Sequence, residues 1–292
     1  MLRKIVKQGT STLMVSLPSK WAKLNNLDKG DEVSIEEDGQ KLIIKLKEEK
    51  KKDKKSKIDL SGYSPLINRV LLSLYIQGVD ELEITFENFD SIKDFQKRVV
   101  NELIGFEIIK QTNNSALIKD ISGISDQEID DIVKRIFFVL NSMVEELIIA
   151  IEKKESMQPI IEIDASINKF ANFCLRILNK KGYKDSKKTP HFYGIVSILE
   201  EIGDLYKNIA VALDKKEKLE KVQLEVLKET KESLNLFEGL VFNFNKEGEV
   251  EFAKKYEKIK GKIKGNNKMD FLLYQVNESL VRMNNYLLVM SL

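Results

Sequence analysis

At 292 residues the chain has room for two or three domains, and its 48 Lys and Arg against 46 Asp and Glu leave a formal net charge of +2, which by itself selects no partner. The single cysteine, Cys174, excludes an intrachain disulfide; no apolar run approaches the ~18 residues of a membrane-spanning helix, and Arg3 and Lys4 are followed by alternating apolar residues, unlike a secretory leader. These features point to a cytoplasmic protein whose charge is placed locally: residues 1–57 carry 15 basic and 9 acidic residues, a net of +6, and the remainder −4.

Residues 2–8 and 12–17 alternate apolar and polar, as half-buried strands do. Pro18 ends the second strand and can open a short helix over Ser19–Asn25, after which Glu32–Glu37 and Lys41–Lys47 read as a hairpin about Asp38-Gly39. So short a unit buries only about 60% of its surface and needs a partner, the simplest being a second copy. Glu48 to Lys57 is a charge run with nothing to bury and reads as a linker. From Ile58 to Ile121 the pattern is mixed: helical over Ser64–Gln77 and Ser91–Leu103, strand-like over Glu81–Phe86, then a hairpin of Phe106–Gln111 and Ala116–Ile121. Beyond Ser125, which forms a capping-box pattern with Glu128, everything reads as helix.

Ile129, Ile132, Val133, Ile136, Phe137, Leu140, Met143, Val144, Leu147, Ile148 and Ile151 make an apolar stripe for bundle packing. Further helices are predicted at about 164–180, 190–213, 217–244, 247–264 and 268–290, whose alternating lengths suggest two tandem three-helix units. The predicted organisation is a basic head over 1–48, a lysine-rich linker over 49–57, a small α/β domain over 58–122 and a helical domain over 123–292.

In the head, Arg3, Lys4, Lys7, Lys20 and Lys23 can neutralise phosphates, and Thr10, Ser11 and Thr12 offer hydroxyls near a turn; the competing reading is an ordinary solvated strand face. The order of elements separates the two. A strand with Gly9 and a polar turn, then Val15 to Ala22 with Leu17-Pro18 and Trp21, then Leu27 to Val33 with Gly30-Asp31, resembles the AbrB/SpoVT/MazE swapped-hairpin family over residues 1–47. The resemblance implies two chains interleaving their hairpins into one dimeric β-barrel that binds double-stranded DNA through Arg3, Lys4, Lys7, Thr10, Ser11, Lys20 and Lys23. Gly9 is followed by Thr10-Ser11 where bacterial members often carry Gly-Arg, which favours phosphate contact and shape readout over base reading. Trp21, beside Leu17, Leu24 and Leu27, reads as a core residue rather than a platform for bases.

In the helical part, Glu200 and Asp204 stand at i and i+4 and can share a cation, although acidic pairs at this spacing are common on solvated helices. The run Leu199-Glu200-Glu201-Ile202-Gly203-Asp204, preceded by Tyr193–Ile198 and followed by Tyr206–Ala210, resembles the signature of PhoU, the phosphate-uptake regulator family. That resemblance implies an all-α bundle of two three-helix repeats, with iron, zinc or another divalent metal held at the surface by E(D)xxxD motifs. Glu200 and Asp204 match one motif; Asp164 begins another that ends on Asn168 instead of an acid, and Asn277 and Val281 stand where the second repeat would carry its acids. His191 is the sole histidine, Cys174 reads as a small core residue, and no Gly-rich phosphate loop is present, so the chain reads as no enzyme.

Together the resemblances imply a homodimeric DNA-binding transcription regulator of phosphate uptake, its helical domain sensing phosphate status through a metal, phosphate or a protein partner. The rivals are a module that docks on a phosphate transporter or signalling partner with the head as a dimeriser, a metal-dependent phosphohydrolase built on the helical acids, and an antitoxin role for the head.

Overall fold

In the computed structural model, which describes residues 2–39, 41–46, 53–87, 101–122 and 129–292, the chain opens with a hairpin of β1 (Val6–Gln8) and β2 (Thr12–Met14). Lys7 lies opposite Leu13, and Gly9 starts the connecting turn at φ +70°, a left-handed backbone that favours glycine. Pro18 then caps α1 (Ser19–Leu24), and β3 (Val33–Asp38) pairs antiparallel with β4 (Lys41–Leu46). Asp38 is itself paired, with Lys41, so the turn begins at Gly39 (φ +59°), one residue later than predicted. Among the described residues these strands form two separate two-stranded sheets, and a barrel would need strands from a second copy.

The chain divides into two compact units, one ending at Lys52 and the other running from Asp53 to Leu292. The second begins with β5 (Lys55–Asp59), which corrects the predicted linker: its last residues belong to a strand, while residues 49–52 lie outside the described residues. The physical reason is alternation. Ser56 and Ile58 turn inward, while Lys55 and Lys57 stay on the solvent face and pair across the strand with Glu81 and Glu83 at 3.1 and 2.7 Å. A crossover through α2 (Ile67–Ile76) leads to β6 (Glu81–Thr85), parallel to β5. Then β7 (Phe106–Gln111) and β8 (Ser115–Asp120) complete a four-stranded sheet of order β5-β6-β8-β7. Leu82, Ile84, Ala116 and Ile118 are its buried side.

Six long helices follow: α3 (Ile129–Lys153), α4 (Gln158–Lys181), α5 (Thr189–Asp214), α6 (Lys221–Phe242), α7 (Lys246–Lys262) and α8 (Lys268–Ser291). Every residue of the predicted α3 stripe is buried except Ile151, which is half-buried. The predicted cap at Ser125 and Glu128, and residues 91–100 of the helix predicted over Ser91–Leu103, lie outside the described residues. α4 starts well before residue 164 because Pro159 falls in the first turn, where a missing N–H costs nothing, and Ser156 Oγ accepts a bond from the Gln158 amide at 3.2 Å. α6 begins on a capping box between Glu220 and Gln223. α3, α4 and α5 pack on one another; α7 and α8 pack on α6; and α5 against α8, with α3 against α6, joins the two sets.

The α/β segment, predicted as a domain of its own, belongs to the same unit as the helices. Arg176 of α4 is the reason. Only 2% exposed, it donates from Nη1 to the Tyr75 carbonyl (2.7 Å) and from Nη2 to Asp80 (3.0 Å) and Asp120 (2.7 Å), with its guanidinium over the Tyr75 and Phe106 rings. A buried cation is tolerated only with such partners, so α4 is fixed to the ends of β8 and the α2–β6 turn.

Candidate nucleic-acid interface

The head is built around a charge asymmetry. Residues 1–27 contain Arg3, Lys4, Lys7, Lys20 and Lys23 and no acid, whereas Asp28, Asp31, Glu32, Glu36, Glu37 and Asp38 all follow. Arg3 and Lys4 lie on the segment leading into β1, Lys7 at its centre, and Thr10 and Ser11 in the turn to β2; all are exposed. Lys20 and Lys23 stand at i and i+3 on α1, exposed on one side of that helix, while Trp21 and Ala22 between them are half-buried. The structure thus brings the seven predicted residues into two groups, one on the first hairpin and one on α1, and among the described residues gives none of the cations a carboxylate partner. Free Lys and Arg on a strand and a helix, with a turn of exposed hydroxyls, can take phosphate oxygens without first breaking an ion pair.

Among its described residues the same unit has no core. None of its described residues is buried. On the β3–β4 hairpin the register places Val33 opposite Leu46, Ile35 opposite Ile44 and Glu37 opposite Leu42, so one face carries five apolar side chains. Leu42 is 65% exposed and Ile35 59%. Trp21, expected in the core, is only half-covered by its own chain.

Residues 6–56 match the MazE antitoxin family model. Its description is antidote-toxin recognition MazE, bacterial antitoxin, and the match takes in β1 to β4 and the first residues of β5. The chain therefore has a MazE/AbrB-like strand-rich head followed by a helical region. Neither the curated proteins nor the solved structures yield a match.

In the helical region the predicted metal residues do come together, but around a different cation. Asp164 of α4, 6% exposed, accepts a bond from Lys207 Nζ of α5 at 2.8 Å, and Lys207 also contacts Asp204. Asn168 donates to the same Asp164 oxygen at 3.2 Å. Burial would lower the Lys207 ammonium, but the bonds it donates to Asp164 and Asp204 outweigh this and hold it above the ordinary lysine range. Burial pushes the Glu200 carboxyl up to about 7, with Asp204 and Asp164 adding to the rise. Among the described residues no group of three or more His, Cys, Asp or Glu side chains is placed to hold a metal ion. At the expected site of Glu200, Asp204 and Asp164, a lysine three residues after Asp204 supplies positive charge to two of the three carboxylates. That lysine was visible in the sequence at the i+3 position.

His191 is half-buried near the Tyr286 ring, at 6.1 Å between ring centres, and burial pushes the Cys174 thiol up to about 12, so Cys174 stays protonated and structural. Among the described residues no helix is long and apolar enough to cross a membrane.

Proposed function

We propose that this chain is a DNA-binding regulator whose head works as a pair. The observation that carries the reading is the coreless head: an exposed apolar β3–β4 face beside a half with five basic residues and no acid. Burying a Leu or Ile side chain is worth about 1.5–3 kcal/mol, so two copies meeting through Val33, Ile35, Leu42, Ile44 and Leu46 stabilise what one copy leaves bare. Pairing also doubles the phosphate contacts and presents two equivalent basic surfaces, which suits a two-fold related or repeated duplex site. The MazE-like match over residues 6–56 supports both parts of the reading.

The finer form of the proposal is control of phosphate uptake, with the helical region receiving the signal. Its support is the Leu199–Asp204 run and the two sets of three packed helices. Genome-wide occupancy in high and low phosphate tests it: binding near phosphate-transport genes that changes with phosphate is expected, and occupancy indifferent to phosphate contradicts it. One observation favours a second reading. The family description names toxin recognition, and on that reading the exposed head face receives a toxin protein. A head that stays monomeric without such a protein, and binds no duplex, favours it.

A further inference from the structure

An open cleft of roughly 520 Å3 lies between the N-terminal half of α5 and the C-terminal half of α8, a volume typical of small-molecule sites. Its composition is selective. Gly194 makes its floor: a Cβ there would come within 2.6 Å of the Tyr286 ring, so that ring rests directly on the α5 backbone. Tyr193 lines the same cleft, and Ser197 donates its hydroxyl proton to the Tyr193 carbonyl at 2.9 Å, which leaves the Ser197 oxygen free to accept.

The polar end is a donor end. Arg282 is engaged only through Nη2, by Glu201 and by Ser279 Oγ, so its Nε and Nη1 donors have no protein partner among the described residues. The Asn285 amide has none either. No carboxylate lines the cleft, and the nearby Glu201 is held by Arg282. Tyr193 and Gly194 sit in the first two turns of a 26-residue helix, at its positive end, and Lys187 and Lys188 immediately precede that helix.

We infer that this cleft binds a small aromatic anion, its ring against Tyr193 and Tyr286 and its phosphate or carboxylate on Arg282 and Asn285. Aromatic walls favour a planar ring, and a guanidinium with two unengaged nitrogens takes an oxyanion more strongly than a neutral acceptor. The inference is independent of DNA binding, since the site lies wholly in the second unit and the test contains no DNA.

Calorimetry on the full-length protein tests it with adenosine monophosphate and 4-hydroxybenzoate as probes. At least one is expected to saturate the protein with a Kd below about 1 mM, and which one does so tells phosphate from carboxylate recognition. Adenosine and inorganic phosphate, each lacking half of the pharmacophore, should bind at least about tenfold more weakly. Arg282→Gln should weaken the binding probe by about tenfold or more. Asn285→Leu, at an exposed side chain without partners, should also weaken it while leaving the melting temperature unchanged, which separates lost contact from lost fold. Saturation by neither probe, adenosine binding as tightly as its monophosphate with no 4-hydroxybenzoate binding, or affinity unchanged in both variants overturns the inference.

Discussion

Glu200→Gln separates a lysine-centred acidic cluster from a metal-centred one. Burial first, then Asp204 and Asp164, raise the Glu200 carboxyl from 4.5 to about 7. A group whose folded pKa lies above its unfolded value stabilises the fold fully below the unfolded pKa, and that stability is lost as pH rises through the folded one. Such a rise corresponds to about 3 kcal/mol, and partial solvent exposure of the side chain cuts this roughly by half, to about 1.5 kcal/mol. Glutamine does not ionise and escapes the loss. The variant should therefore melt about 3–6 °C higher than the parent at pH 8, with the gap closing as pH falls toward 4.5. Thermal melts from pH 4.5 to 8, with and without a chelator, measure this. A variant that melts lower at pH 8, or a parent that loses stability to the chelator, would mean that the carboxylates hold a metal and that Lys207 does not suffice.

Two further substitutions test the rest of the architecture. Arg176→Met leaves the half-buried Asp80 and Asp120 with only the partly exposed Lys180 as a cation and should cost about 3 kcal/mol, a fall of about 6–12 °C in Tm by calorimetry. Burial works to raise the Asp120 carboxyl, but bonds from Ser122 and Arg176 outweigh it and hold it below the usual range, so this stability is present at neutral pH and lost in acid; the penalty should shrink in acid, and a pH-independent penalty would contradict the assignment. The double variant Ile35→Asp with Leu42→Asp places charge on the bare face of the head. Light scattering should then find a monomer where the parent is a dimer, and a parent that is already monomeric would remove the pairing from the account.

What could be read from residues alone followed from short-range order. The α3 stripe repeats at helical spacing over more than 20 residues, so its buried face was legible from period alone. The β7–β8 hairpin was similarly marked, by two alternating runs about Thr112–Ser115. β5 was not, because its lysines occupy the solvent face and their partners, Glu81 and Glu83, lie across an intervening helix. Arg176 had no local signal at all: Tyr75, Asp80 and Asp120 are far away in sequence, and only the fold brings them to one cation. The basic head residues were legible as a group, but their separation from the acids of β3 gains meaning only beside the bare apolar face. In the acidic cluster, helical spacing brings Glu200 and Asp204 onto one face but does not place Asp164 of another helix beside Lys207; that meeting depends on the packing of α4 on α5.

Whether a paired, basic head binds duplex DNA is read from the salt dependence of binding by the full-length protein. Arg3, Lys4, Lys7, Lys20 and Lys23 from two chains bound the contacts, and at about −0.9 per phosphate the log affinity against log salt slope should fall between about −4 and −9. Lys7→Ala removes one contact per chain and should make the slope shallower by about 1.8 while weakening all sequences alike. Absence of duplex binding at low salt, or a slope near zero that Lys7→Ala does not move, would contradict the account.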